Sequence, residues 1–87
     1  MRTSPVIVST VIKMKLTEAE IGKYYRILRV NLEHSKTKRL LSMGLYEGVC
    51  FTIERKNVHN RVLLVYVSGN FMMLRYQDAE KIEVMYL

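Results

Sequence analysis

Apolar and polar residues alternate along several short stretches of the chain, which is typical of β-strands that bury one face. In residues 49–56, for example, Val49, Phe51 and Ile53 share one side of an extended chain. Short runs that contain glycine, asparagine or serine separate these stretches. The five predicted strands are residues 23–30, 49–56, 61–68, 71–76 and 81–86. The pattern therefore predicts a mainly β chain with about five antiparallel strands.

One segment between the first two strands has helical spacing instead. Residues 35–44 predict a two-turn helix with Ser35 as its N-cap and with Gly44 at its end, where a left-handed residue is favoured. The residues predicted to form its buried side are Leu40, Leu41 and, past its end, Leu45, with Met43 nearby. The basic residues predicted on its outer side are Lys36, Lys38 and Arg39. Short strands with one small helix predict a small SH3-like barrel.

A two-residue turn at Gly69-Asn70 is predicted to connect the third and fourth strands. Pairing across this turn places Ser68 opposite Phe71 and divides the hairpin into two faces. One face carries Val65, Val67, Met72 and Leu74, and the other carries Leu64, Tyr66, Phe71 and Met73. Both faces are apolar, but a small barrel has one interior. We therefore expect residues 5–12, as an added strand, or a second copy of the chain to cover the second face, which otherwise contacts a partner.

Composition limits the class of protein further. With 87 residues and 49% hydrophobic content, the chain is expected to form one domain, at residues 14–87, preceded by an extension at residues 1–13. One cysteine excludes a disulfide framework, and no apolar run approaches the roughly 20 residues of a membrane-spanning helix. The net charge of +6 lies wholly in residues 1–44, which contain nine Lys or Arg and three Glu. An acidic partner explains this excess, and so does solubility alone.

Catalytic and metal-binding residues are few. The two histidines, His34 and His59, fall in predicted loops, and no spacing of nucleophile and base suggests an enzyme. Cys50 is expected to be inert on a strand. Glu33, His34 and His59 are weak candidates for a divalent metal, but their spacing is unlike that of a ligand set. We expect no enzymatic activity and no cofactor.

Nucleic-acid binding is the alternative function. Small barrels often bind nucleic acids, and Tyr24 and Tyr25 are candidates for stacking on bases. The basic residues near them in sequence are Arg26, Arg29, Lys36, Lys38 and Arg39. This charge is moderate compared with the dense basic stripe of a groove that follows phosphates, so nucleic acid is not the favoured partner.

The segment at residues 39–48, Arg-Leu-Leu-Ser-Met-Gly-Leu-Tyr-Glu-Gly, closely resembles the helix-and-turn signature of the FeoA family. Members of that family are small cytosolic components of bacterial ferrous iron uptake. Residues 16–22 resemble the family's opening Leu-x-x-Leu-x-x-Gly, with Ala19 at the middle leucine. The residues that match the signature, with structural roles, are Leu40, Leu41, Met43, Gly44, Leu45 and Gly48. The resemblance covers roughly residues 14–86.

The resemblance implies an SH3-like adaptor that has no chemistry of its own. It implies a partner, the FeoB-type membrane permease with its GTP-binding domain, and a cytoplasmic protein recruited to the inner face of the membrane without inserting into it. A homodimer is a further expectation. The same domain occurs in iron-dependent repressors, but no DNA-binding domain fits beside it in 87 residues. The candidate partner-binding residues are Lys36, Lys38, Arg39, Leu64, Tyr66, Phe71 and Met73.

Overall fold

A computed structural model describes residues 12–87 of the chain. It contains six β-strands and two short helices in that range. In chain order they are β1 (Met14–Lys15), a 3-10 turn (Leu16–Glu18), β2 (Tyr24–Val30), α1 (His34–Ser42), β3 (Cys50–Asn57), β4 (Val62–Val67), β5 (Asn70–Arg75), α2 (Tyr76–Ala79) and β6 (Ile82–Tyr86). The fold is mainly β and SH3-like, as predicted, and its longer helix lies between β2 and β3.

The strands form one antiparallel sheet in the order β1-β6-β2-β3-β4-β5. The prediction of five strands and one helix is corrected in two places. The two-residue strand β1 pairs with β6 through Met14 and Val84, a partnership too short and too distant in sequence to leave an alternation pattern. A second short α-helix, α2, follows β5.

The hairpin between β4 and β5 has a different register from the predicted one. Val67 pairs with Asn70, so the turn residues are Ser68 and Gly69, and both have positive φ, 54° and 78°. Two consecutive positive φ angles are the requirement of the tight turn that suits twisted strands. The predicted turn lay one residue later, which displaces each cross-strand partner by two residues. Because side chains alternate with period two, the predicted faces are nevertheless correct.

One face of the sheet, together with α1 and the 3-10 turn, encloses the core. The largest side chains that are fully buried there include Leu16, Ile27, Leu45, Ile53 and Leu63. Register shifts interrupt β2 between Ile27 and Arg29, and β3 between Ile53 and Arg55. Such bulges increase the local twist and help a short sheet to curve around one core. The predicted extra strand at residues 5–12 falls almost entirely outside the described residues and stays a prediction.

Candidate protein-binding surfaces

The end of α1 has the hydrogen bonds of a Schellman motif. The Leu45 amide donates to the Leu40 carbonyl at 2.9 Å, and the Gly44 amide donates to the Leu41 carbonyl at 3.0 Å. Gly44 has φ of 91°, a conformation that glycine adopts without steric cost. Leu40 and Leu45 are both buried and form the apolar contact that accompanies this motif. Leu40, Gly44 and Leu45 have the structural role that the sequence predicted for them.

Leu41 does not lie where the sequence predicted it. Leu41 is 55% exposed and Met43 is 38% exposed, so the prediction that Leu41 is buried is wrong. Successive helical residues are about 100° apart around the axis, and in the nine-residue α1 Leu40 alone is buried against the sheet. The predicted N-cap is also wrong, because Glu33, two residues before Ser35, occupies that position. Ser35 donates its hydroxyl to the Glu33 carboxylate at 3.2 Å.

A close contact fastens the end of α1 to the β4–β5 turn. The Ser68 hydroxyl donates a 2.7 Å hydrogen bond to the Gly44 carbonyl. A Cβ atom on Gly44 would lie 2.5 Å from the Ser68 Cβ atom, so no larger residue fits without a shift. Gly48, with φ of 95°, has open space around it. The two glycines of the segment are therefore required for different reasons, a close approach at Gly44 and backbone conformation alone at Gly48.

The basic side of α1 is divided by an ion pair. Lys36 Nζ lies 3.0 Å from Asp78 Oδ1, and this contact ties α1 to α2 across 42 positions of sequence. The sequence predicted that Lys36 projects outward with the other basic residues. Its ion pair with Asp78 instead holds it partly against the fold. Lys38 and Arg39 are exposed, and neither forms an ion pair within residues 12–87. The positive charges of these two residues are therefore available to pair with acidic groups of another molecule.

The outer side of the β4–β5 hairpin carries a cluster of apolar side chains, which we call the outer patch: Leu64, Tyr66, Phe71 and Met73. Tyr66, Phe71 and Met73 are 41%, 61% and 64% exposed. The rings of Tyr66 and Phe71 contact each other, with their centroids 5.0 Å apart. Leu64 is half-buried. Contiguous exposed apolar side chains of this kind are typical of interaction surfaces.

A cavity of about 250 Å³ lies where the basic side of α1 meets the outer patch. It opens between α1 and the end of β5. Among the residues that line it are Lys36, Arg39, Met73, Leu74, Arg75 and Asp78. The cavity therefore joins Lys36 and Arg39 of the basic side to Met73 of the outer patch. It also contains Arg75 and Asp78, which the sequence did not indicate. The sequence offers little sign of either residue. Arg75 lies at the end of a strand and Asp78 in a short helix, and neither position indicates which residues lie opposite it in the fold.

The candidate metal ligands are not assembled. Glu33 and His34 are exposed at the start of α1, and His59 is exposed in the turn between β3 and β4. In the part of the chain that the structure describes, no group of three His, Cys, Asp or Glu side chains is placed to hold a metal ion. Cys50 is exposed, with its sulfur 3.6 Å from the Arg26 guanidinium.

The residues proposed for stacking on nucleic-acid bases are separated. Tyr24 is exposed, but Tyr25 is buried and packs against Phe51 and Tyr86, with ring centroids 5.8 Å and 5.5 Å away. Its hydroxyl accepts a 2.8 Å hydrogen bond from the Glu20 amide. Tyr25 is therefore not available to stack on bases, because consecutive strand residues point to opposite faces.

Comparisons with known proteins identify relatives. A family model described as the FeoA domain matches residues 14–86. The solution structure of the FeoA protein from Chlorobium tepidum is 28% identical, with a TM-score of 0.80 over 85% of this chain and 70% of that one. A FeoA-like protein from Clostridium acetobutylicum is 24% identical over 90% of both chains, with a TM-score of 0.75, a likeness that shows the fold alone.

A likeness in fold alone extends to a manganese-dependent transcriptional repressor. It is 16% identical, with a TM-score of 0.81, over 92% of this chain and 45% of the repressor. No curated protein sequence matches the chain. Within residues 12–87, no helix combines the length and apolar character needed to cross a membrane.

Proposed function

Because the chain belongs to the FeoA family, whose members are related to iron transport, we propose that it is a small cytosolic adaptor of ferrous iron uptake. In this proposal it binds a FeoB-type membrane permease through the permease's cytosolic part and modulates transport. It is recruited to the inner face of the membrane by that contact. It acts by binding and performs no catalytic step of its own.

The observation that supports a binding role best is that an exposed apolar surface lies next to basic side chains without ion-pair partners in residues 12–87. The outer patch exposes Tyr66, Phe71 and Met73, and Lys38 and Arg39 on neighbouring α1 have no carboxylate within 4 Å in residues 12–87. Aromatic and methionine side chains with arginine nearby are the composition of protein interfaces. A partner that presents apolar side chains beside carboxylates would match both surfaces, and the charge would mainly raise the association rate and its sensitivity to salt.

The test is a titration of the full chain with the purified cytosolic domain of the permease. Two double variants address the two surfaces: Lys38→Glu with Arg39→Glu, and Phe71→Ser with Met73→Ser. We expect each to weaken binding about tenfold or more, because they reverse the charge or remove the apolar contacts of the proposed interface. The charge-reversal variant should also lose most of the salt dependence that the wild-type chain shows.

A matched control makes the same change of charge elsewhere. Lys13 and Lys81 are exposed and do not line the cavity, so Lys13→Glu with Lys81→Glu should leave binding within about twofold of the wild type. If both surface variants bind as the wild type does, the interface is misplaced. If the wild-type chain binds no permease domain at any salt concentration, the adaptor function itself is wrong.

A further inference from the structure

The sheet ends at β5 with one side of that strand unpaired. β5 pairs with β4, and no strand within residues 12–87 pairs with its other side. An unpaired strand edge presents a row of amide and carbonyl groups, which other extended chains can pair with. The position of β5 beside α1 and the cavity makes this edge part of the proposed interface.

The register shows which backbone groups lie on that side. In an antiparallel pair, opposite residues alternate between hydrogen-bonded and non-hydrogen-bonded pairs. Val67 and Asn70 flank the tight turn and are hydrogen-bonded, and the Tyr76 amide donates to the Arg61 carbonyl at 3.0 Å, in phase with that pair. By this alternation, Phe71, Met73 and Arg75 belong to the non-hydrogen-bonded pairs. These three residues therefore direct their amide and carbonyl groups away from β4.

The side chains along the same edge combine apolar surface with unpaired positive charge. Phe71 and Met73 are exposed, and Arg75 and Arg39 line one cavity without a carboxylate within 4 Å in residues 12–87. The carboxylate of that cavity, Asp78, is already paired with Lys36. The edge therefore offers backbone hydrogen bonds, an apolar contact and two guanidinium groups in one place.

We propose that the β5 edge takes up an extended segment of a partner protein as an added strand, and that this segment carries both apolar and acidic side chains. Its apolar side chains lie along Phe71 and Met73, and its carboxylates pair with Arg39 and Arg75. This mode of binding is strand addition, in which backbone hydrogen bonds give affinity and side chains give specificity. The inference rests on the proposed function, since it names how the adaptor binds its partner.

Charge decides between this occupant and two others. A second copy of the chain would approach with the same net charge of +6, and β5 contains no acidic residue that could pair with Arg39 or Arg75. The chain's own residues 1–11 contain no Asp or Glu either. An acidic segment of another protein is therefore the occupant whose charge is complementary to this edge.

The direct test uses a synthetic peptide in which four Val alternate with four Glu, added to the full isotopically labelled chain. Binding should slow hydrogen exchange of the Phe71 and Met73 amides at least tenfold, because added-strand hydrogen bonds protect them. A peptide with Lys in place of Glu should bind at least tenfold more weakly. A peptide N-methylated at alternate residues should fail likewise, since it lacks the donors that pair with the edge.

Two pairs of variants locate the contact. Arg39→Glu should weaken peptide binding about fivefold, whereas Lys81→Glu, at an exposed position outside the cavity lining, should change it less than twofold. Met73→Pro and Met73→Thr both remove the methionine side chain, but only proline removes the outward amide, and proline is tolerated at such edge positions. The proline variant should bind about tenfold more weakly than the threonine variant.

Several outcomes would overturn the inference. They are peptide binding without protection at β5, equal binding of the acidic and basic peptides, and protection of β5 by concentration-dependent dimerisation of the chain. If the acidic peptide does not bind but the permease domain does, strand addition is wrong and the adaptor function stands. If neither binds, the adaptor function fails as well.

Discussion

The two faces of the β4–β5 hairpin are both apolar, and only one of them is buried. The inner face carries Leu63, Val65, Val67, Met72 and Leu74, all below 5% exposure. The outer patch carries Tyr66, Phe71 and Met73, all above 40%. Similar residue types thus face opposite environments on one pair of strands. The inner face contributes to stability through burial, whereas the outer face leaves its apolar area exposed, which is typical of surfaces that contact other molecules.

The strongest test of this comparison truncates two neighbouring residues of β5. Leu74 is 3% exposed and Met73 is 64% exposed. We expect Leu74→Ala to lower the free energy of unfolding by about 3 kcal/mol, through lost burial and the cavity that remains. Met73→Ala should change it by no more than about 0.5 kcal/mol, as for other surface positions. Urea denaturation of both variants measures the difference.

The same two variants give a second reading on association. Met73→Ala should weaken binding of the permease domain, while any Leu74→Ala chain that remains folded should bind normally. A loss of stability at Met73 as large as that at Leu74 would mean that the outer patch is covered in solution. That result would remove the contrast between the faces.

A smaller effect is expected at the contact that joins α1 to the tip of the hairpin. Gly44 and Gly48 have nearly equal φ, 91° and 95°, so alanine is strained at both, by about 1 kcal/mol. At Gly44 alone, the new Cβ also meets Ser68 at 2.5 Å. We therefore expect Gly44→Ala to destabilise by about 2 kcal/mol or more, and Gly48→Ala by about half of that. Thermal and urea unfolding check the ranking.

Ser68→Gly separates the two causes at Gly44. It removes the atoms that the new Cβ would meet, and glycine accepts the positive φ of this position. In its presence, the cost of Gly44→Ala should fall towards that of Gly48→Ala. Equal costs of Gly44→Ala with and without Ser68 would show that the contact contributes nothing beyond backbone conformation.

The hairpin also shows which features sequence patterns predict well. The faces follow from period two, so they survived a predicted turn that was one residue too late. The turn itself depends on Ser68, a residue that seldom adopts positive φ, and on its hydrogen bond to Gly44, 24 positions earlier. A contact at that separation leaves no local pattern. Local alternation therefore predicted the burial of this hairpin but not its register.

The candidate site shows the same limit. Lys38 and Arg39 are exposed as a helical pattern predicts, but Lys36 is paired with Asp78 through a contact that spans 42 positions. Leu41 was predicted to be buried because it is apolar, whereas the short helix buries only Leu40 in its final turn. The residue types of the proposed interface were predictable, but the cavity follows only from the place of α1 relative to the end of β5 in the folded chain.

The smallest expected effects concern charge, where the contrast between covered and open sites recurs. Lys36–Asp78 is half-buried, and a double-mutant cycle with Lys36→Met and Asp78→Asn should give a coupling of about 0.5–1 kcal/mol.

Glu20–Lys23 is exposed, with its charged atoms 2.9 Å apart. The hydrogen bond and charge of Lys23 hold the pKa of Glu20 below its ordinary value. Whatever stability this pair adds is present above that ordinary value and is lost as pH falls through the lowered pKa. In an NMR titration of the Glu20 carboxyl group, Lys23→Met should raise the pKa back to the ordinary range, and the unfolding free energy should hardly change. An unchanged Glu20 pKa in that variant would show that the contact does not persist in solution.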